Sequence, residues 1–230
     1  MSLIIAEAAL EIVPKEIMHH RSVINYAQKR GKNPREVLLD RSYHHDAIIH
    51  SNLDSIWKRG RPDMVHFALL EALSTPLFLR HMLKVYVHTI NNKIIFVSDN
   101  LRLPKSYFRF EGLMMNLFKD NVIKNDSNDV LLEIQDNITF EHLVKKVVKP
   151  NKLIGLSSRG IQSTAENVVT ENIKKSYHCA FVIGGFPKGH FSESISKLFN
   201  HLYSIGEVKL EAHIVISRIL YESEKVLLSY

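Results

Sequence analysis

Apolar positions along the chain change their period several times, and each change marks an expected element. Leu3 to Val13 is rich in Ile, Leu and Ala and stops at Pro14, which reads as an opening strand. Glu16 to Lys29 follows a helical pattern that Arg30-Gly31-Lys32-Asn33-Pro34 breaks. Pro62 to Ala72 predicts a second helix, with proline at its first position and Asp63 in its first turn. Its residues Met64, Val65, Phe67, Ala68, Leu69 and Leu70 leave little polar surface, so this helix is expected in the core.

Leu83 to Ile90 alternates apolar and polar residues over its first six positions. Asn91-Asn92-Lys93 then precedes the apolar run Ile94 to Val97, which predicts a hairpin. Ser106 to Phe118 reads as a helix with Leu113, Met114 and Leu117 on one face. Beyond it the pattern predicts a strand over Val130–Ile134 and a helix over Thr139–Lys149. Strands at Leu153–Leu156 and Ala180–Ile183 follow, then a helix over Phe191–Tyr203 and a last one from about Leu210 to Leu227. Short strands alternating with helices point to an α/β protein with a parallel sheet. No internal repeat or low-complexity linker is visible, so residues 1–230 are expected to form one domain, with the hairpin at about 76–98 as an inserted extension.

Hydrophobic residues make up 45% of the chain, enough for a sizeable core. Lys and Arg exceed Asp and Glu by 30 − 24 = 6, a bias that suits a polyanionic partner without proving one. The single cysteine, Cys179, excludes a disulfide framework or a zinc ribbon and lies in an apolar run that reads as packing. The start lacks the cationic region of a signal peptide, and no apolar run approaches ~20 residues, so a cytoplasmic protein without a membrane span is expected. Thirteen histidines include the pairs His19-His20 and His44-His45, yet no HExxH or Gly-x-Ser-x-Gly pattern occurs, and no metal is expected.

Three segments carry candidate chemistry. Ile183-Gly184-Gly185-Phe186-Pro187-Lys188-Gly189 joins an expected strand to an expected helix, the junction where parallel α/β sheets bind ligands, although it equally suits a plain turn. Arg102, Lys105 and Arg109 alternate with Tyr107, Phe108 and Phe110; cations for phosphates and rings for bases suit an unpaired RNA loop, unless the rings are core. Arg61 precedes a helix N-terminus, a poor place for a cation, and Asp63 can either hold its guanidinium or cap the helix.

Taken in order, Arg59-Gly60-Arg61-Pro62-Asp63-Met64-Val65-His66-Phe67, Leu101-Arg102-Leu103-Pro104-Lys105, Arg109-Phe110-x-Gly112-Leu113-Met114 and Ile183-Gly184-Gly185 form a pattern over nearly the whole chain. It resembles the small-subunit rRNA pseudouridine N1-methyltransferases of ribosome biogenesis, members of the SPOUT (α/β-knot) superfamily, and is closer to their archaeal branch. The resemblance implies a trefoil-knotted fold, a homodimer, small-subunit rRNA and other assembly factors as partners, and S-adenosylmethionine held by the knot loops. By motif, Arg61 would contact RNA and Asp63 would steady it, while Arg102, Lys105 and Arg109 would grip the RNA. Lys105 stands where some relatives carry arginine, keeping charge but not bidentate geometry. Leu156, Gly184, Gly189 and the loop Ile205, Gly206, Glu207, Val208, Lys209 and Leu210 would hold the methyl donor. Two further readings stay open at this point: a non-catalytic RNA-binding assembly factor on the same fold, and a histidine-dependent metal hydrolase.

Overall fold

Seven consecutive buried residues make β1 (Ser2–Ala8) in the computed structural model, which describes residues 1–173 and 178–228. Burial on both faces explains why this strand reads as an unbroken apolar run. Leu3 and Ile5 enter one core layer, and Ile4 and Ala6 enter the opposite one.

The chain continues through α1 (Arg21–Lys29), α2 (Arg41–Ile49), α3 (Pro62–Leu73), α4 (Pro76–Leu79), β2 (Lys84–Thr89) and β3 (Ile94–Val97). Next come α5 (Tyr107–Asp120), β4 (Val122–Lys124), β5 (Val130–Gln135), α6 (Phe140–His142), β6 (Lys152–Gln162) and α7 (Ala165–Asn172). The last elements are β7 (Cys179–Gly184), α8 (Glu193–Ser196), β8 (His201–Ser204) and α9 (Ala212–Leu227). Among the described residues the strands form one sheet in the order β4-β5-β3-β2-β1-β7-β6-β8. From β2 to β8 all neighbours are parallel; β3, β5 and β4 form an antiparallel wing.

Several expected boundaries move. The opening strand stops at Ala8 because Glu7 takes a left-handed turn, φ 50°. The first helix starts at Arg21, where the His20 imidazole accepts the Ser22 N–H at 3.2 Å. The hairpin at 76–98 does not stand apart from the sheet: β2 pairs parallel with β1 at its centre, and only β3 opens the antiparallel wing. The helix over Thr139–Lys149 forms as α6 followed by a wider π-helical turn, Leu143–Val148, ended by Lys149 at φ 47°.

The helix expected over Phe191–Tyr203 is the main correction. Only Glu193–Ser196 is helical, and His201–Ser204 is the edge strand β8. Phe191, Leu198 and Phe199 satisfied a helical pattern, but they pack into the smaller core layer from an irregular segment. Asn200 then exchanges hydrogen bonds with Leu153, its backbone N–H donating at 2.9 Å and its side-chain oxygen accepting at 2.7 Å. That pair draws the chain alongside β6.

Burial also sets protonation states. His44 is fully buried, and its Nδ1 accepts the Asp40 N–H at 3.0 Å, which requires a neutral ring with the proton on Nε2. Desolvation lowers its pKa from 6.5 to about 4, against a smaller opposing pull from Asp40. The unfolded chain therefore takes up a proton near pH 6.5 that the folded chain refuses until about pH 4. Stability contributed by His44 is complete above pH 6.5 and is lost as pH falls towards 4, by about 3 kcal/mol at most. Urea unfolding across this range should show the loss, and His44→Asn, which keeps an acceptor near the Nδ1 position, should flatten the slope. Equal slopes for the two proteins would refute the assignment.

Candidate active site

Because β6, β7 and β8 are parallel, their carboxyl ends share one edge, where ligands bind in such sheets. A cavity of about 340 Å³ opens there, between Leu156 at the bend of β6, Ile183 and Gly184 ending β7, the loop after β8, and the starts of α3 and α9. The turn after β7 is drawn tightly onto β1: Gly185 N–H donates to Ala6 O at 2.9 Å, and Ala9 N–H donates to Gly185 O at 2.8 Å. A Cβ on Gly185 would lie 2.7 Å from Ile5 Cγ2. Gly189 has φ 99°, and a Cβ there would press on the Trp57 indole nitrogen at 3.0 Å. These two glycines are demanded by backbone geometry.

The loop after β8 forms the opposite wall. Ile205, Gly206, Val208, Lys209 and Leu210 line the cavity; Glu207 does not. Among the described residues no backbone N–H from Gly206 to Leu210 donates to a protein acceptor. A cavity wall with unspent amides beside apolar Leu156, Ile183, Ile205 and Leu210 is built for a ligand that combines a flat apolar part with hydrogen-bonding edges.

Arg61 enters the cavity from the start of α3. Asp63 holds it in a fork, Nε to Oδ1 at 2.8 Å and Nη2 to Oδ2 at 2.8 Å. The hydrogen bond to Asp63 is the main reason its pKa rises further, so Arg61 is cationic at every physiological pH. Both Asp63 oxygens are engaged by the guanidinium.

Arg102, Lys105 and Arg109 are exposed and lie outside this cavity, in the segment that leads into α5 and on its first turn. The segment is pinned to α3, where His66 Nε2 donates to Pro104 O at 2.7 Å. The three interleaved rings have three different fates. Phe110 is fully buried and stacks on His66 at 4.3 Å; Tyr107 is half-buried and donates its hydroxyl to Asp40 Oδ2 at 2.6 Å; Phe108 is exposed.

Sequence reasoning missed several cavity residues, among them Met64, Tyr203, His190 and Glu211. The only signal for them was adjacency to the chosen motifs. Cys179 is buried in β7 and its thiol is pushed up to about 12, chiefly by burial, so it is a poor nucleophile. Among the described residues no three His, Cys, Asp or Glu side chains converge as metal ligands. No described helix is long and apolar enough to cross a membrane.

The comparisons with known proteins agree with this geometry. The family model for EMG1/NEP1 methyltransferase matches residues 3–224. The chain is 40% identical over 224 residues to "Ribosomal RNA small subunit methyltransferase Nep1" of Staphylothermus marinus, covering 97% of this chain and 95% of that protein. It is 38% identical over 228 residues to the protein of the same name from Thermococcus sibiricus, covering 99% of each. The crystal structure of Archaeoglobus fulgidus Nep1 bound to S-adenosylhomocysteine superposes with a TM-score of 0.84 at 33% identity, over 98% of this chain and 97% of that one. The parallel sheet with its antiparallel wing is thus the SPOUT-class fold of that structure. By its sequence from residue 3 to 224 and by its fold, the chain belongs to the EMG1/NEP1 methyltransferase family.

Proposed function

We propose that this protein methylates small-subunit rRNA with S-adenosylmethionine as methyl donor, at N1 of a pseudouridine, and works in the cytoplasm as a homodimer. The observation that carries the reading is the placement of Arg61 in the same cavity as the glycine turn and the amide-rich loop. Gly184, Gly189, Leu156 and residues 205, 206 and 208–210 would hold the donor through main-chain groups and apolar contacts; Glu207 lies outside that set. The donor supplies an electrophilic methyl group on a sulfonium. An exposed apolar stretch of α3 and α9, including Phe67, Ile214 and Tyr221, supports the dimer.

The chain's own work is alignment and charge. N1 of pseudouridine is imide-like and becomes a strong nucleophile only as its proton leaves, so negative charge develops on the base. Arg61, fixed by Asp63, is the cation placed to stabilise that charge and to align the base for in-line attack. Asp63 serves as the positioning residue, because its oxygens are spent on the guanidinium. Arg102, Lys105 and Arg109 would hold the phosphates of the RNA at the surface beside α3.

Arg61→Ala should lower the methylation rate by about 10²–10³ and leave affinity for S-adenosylhomocysteine within a few-fold of wild type by calorimetry. A variant that methylates at the wild-type rate would remove Arg61 from the mechanism. Mass mapping of rRNA after incubation with labelled donor tests base and position together, and an unmodified rRNA would favour the non-catalytic assembly-factor reading. For the Arg102, Lys105 and Arg109 triple alanine variant, RNA affinity should fall less steeply with salt, by up to about three units of log–log slope. An unchanged slope would place the RNA on another face.

A further inference from the structure

A second cavity, about 510 Å³, opens between α1, α2 and the first turns of α5, away from the glycine turn. Its walls are aromatic. Tyr26 and Tyr43 stack with centroids 4.3 Å apart, and Tyr107 and Phe108 complete the ring. Phe108 is 65% exposed and Tyr43 52% exposed, so two large rings face solvent around one opening. The Arg30 guanidinium lies 4.3 Å over the Phe108 ring, and its charge is met by buried Glu111.

The inner polar groups are spent on each other. Glu111 accepts the Tyr26 hydroxyl, and Asp40 accepts that of Tyr107. Burial, as the first cause, raises the pKa of both phenols, so they stay protonated and locked in these bonds. At the rim, Asn25 and Lys29 are exposed, and among the described residues their side chains make no hydrogen bond or ion pair. The opening thus offers faces for stacking, an amide with donor and acceptor, and an ammonium. That combination suits a nucleobase and its phosphate better than an apolar peptide.

A short path joins this cavity to the first one. Tyr107 is bonded to Asp40, and the next residue, Arg41, donates its N–H to Gly60 O at 2.8 Å, immediately before Arg61. Arg41 itself makes no ion pair among the described residues. Arg61 is near enough to lower the Arg41 pKa, although burial is the larger cause. Arg61 is held by Asp63, with Asp40 and Glu211 nearby, and Arg41 donates Nη2 to Ile56 O at 2.5 Å. The two neighbouring guanidiniums would still draw in an anion, such as a phosphate on a strand that visits both cavities.

We propose that the second cavity receives an unpaired RNA base from the same loop as the nucleotide that enters the first cavity, stacked on Phe108 and Tyr43 and met at its edge by Asn25 and Lys29. This rests on the rRNA-methyltransferase reading. The test is equilibrium binding of a small-subunit rRNA stem–loop, together with versions made abasic at one loop position each. With Phe108→Ala the parent stem–loop should bind about tenfold more weakly, with an unchanged salt slope. At one loop position, distinct from the methylated one, the penalty that the wild type shows for base removal should vanish in the variant. Tyr43→Ala should silence the same position. Both rings are exposed, so the fold should survive. If every abasic penalty is the same in wild type and both variants, the cavity holds no base. If the rings' loss instead splits the oligomer in sedimentation while the abasic pattern stays, they face a second copy of the chain and the proposal also falls. If the wild-type protein neither binds the stem–loop nor methylates it, the parent reading has failed rather than this one.

Discussion

Glu7 turns the end of the central strand with φ 50°, and its carboxylate accepts from Lys58 Nζ at 2.8 Å and from the Ser192 N–H at 3.1 Å. Both partners of the ion pair are almost wholly withdrawn from water, and desolvation of that kind is offset only when each charge keeps good partners. Lys58 gains another from the Phe186 ring, 4.5 Å away. One carboxylate thus ties together the end of β1, the turn at Ile56–Lys58 and the loop from Phe186 to Ser192. Four residues further on, Glu11 repeats the device with Arg59 at 2.5 Å. Its carboxyl is pushed up by burial and held back by Arg59, the largest opposing influence. Lys58 is therefore clamped from the end of β1 and Arg59 from the segment that follows it, and Arg61 comes two residues after Arg59. The reach of Arg61 into the cavity depends on these two buried pairs.

The basic residues divide by burial into different tasks. Lys58, Arg59 and Arg30 face buried carboxylates and act as structure. Arg61 is half-buried and paired with a half-buried Asp63, which fixes its direction without taking away its access to the cavity. Arg102, Lys105 and Arg109 are exposed and make no ion pair among the described residues, leaving their charge available to an anion. Net charge alone, +6, hides this division, because the structural cations are already neutralised locally.

What the sequence made legible follows from how local each cause is. α3 starts at Pro62 as read, because proline at the first helical position and an acid in the first turn are local signals. α2 escaped notice: its nine residues include two adjacent histidines and an acid, and His44 is bent out of helical geometry at φ −113° to serve Asp40. β8 was read as helix because its strand character comes from Asn200 gripping Leu153, a contact across 47 positions. The same distinction applies to the site. Arg61 with Asp63, and the turn of residues 183–189, carry their chemistry within a few residues. The cavity itself is assembled from segments near residues 61, 156, 184 and 205, which only the parallel sheet brings to one edge. The buried Glu7 and Glu11 pairs left no trace in the sequence, since nothing local couples an acid in the first strand region to a cation 48 or more residues away.

The last link runs through α3. Arg61 stands at its first turn, and His66 on the same helix donates to Pro104 O while stacking on Phe110. The basic segment and α5 are therefore attached to the helix that presents Arg61, through a side chain five residues further along. That bond needs only the proton on Nε2; burial, the larger influence, lowers the His66 pKa, while the Pro104 carbonyl it donates to pulls the other way. A strand held by Lys105 and Arg109 would then be registered against Arg61 by a rigid element rather than by a loop. Positioning by rigid elements is what in-line transfer demands, since small errors in alignment cost large factors in rate.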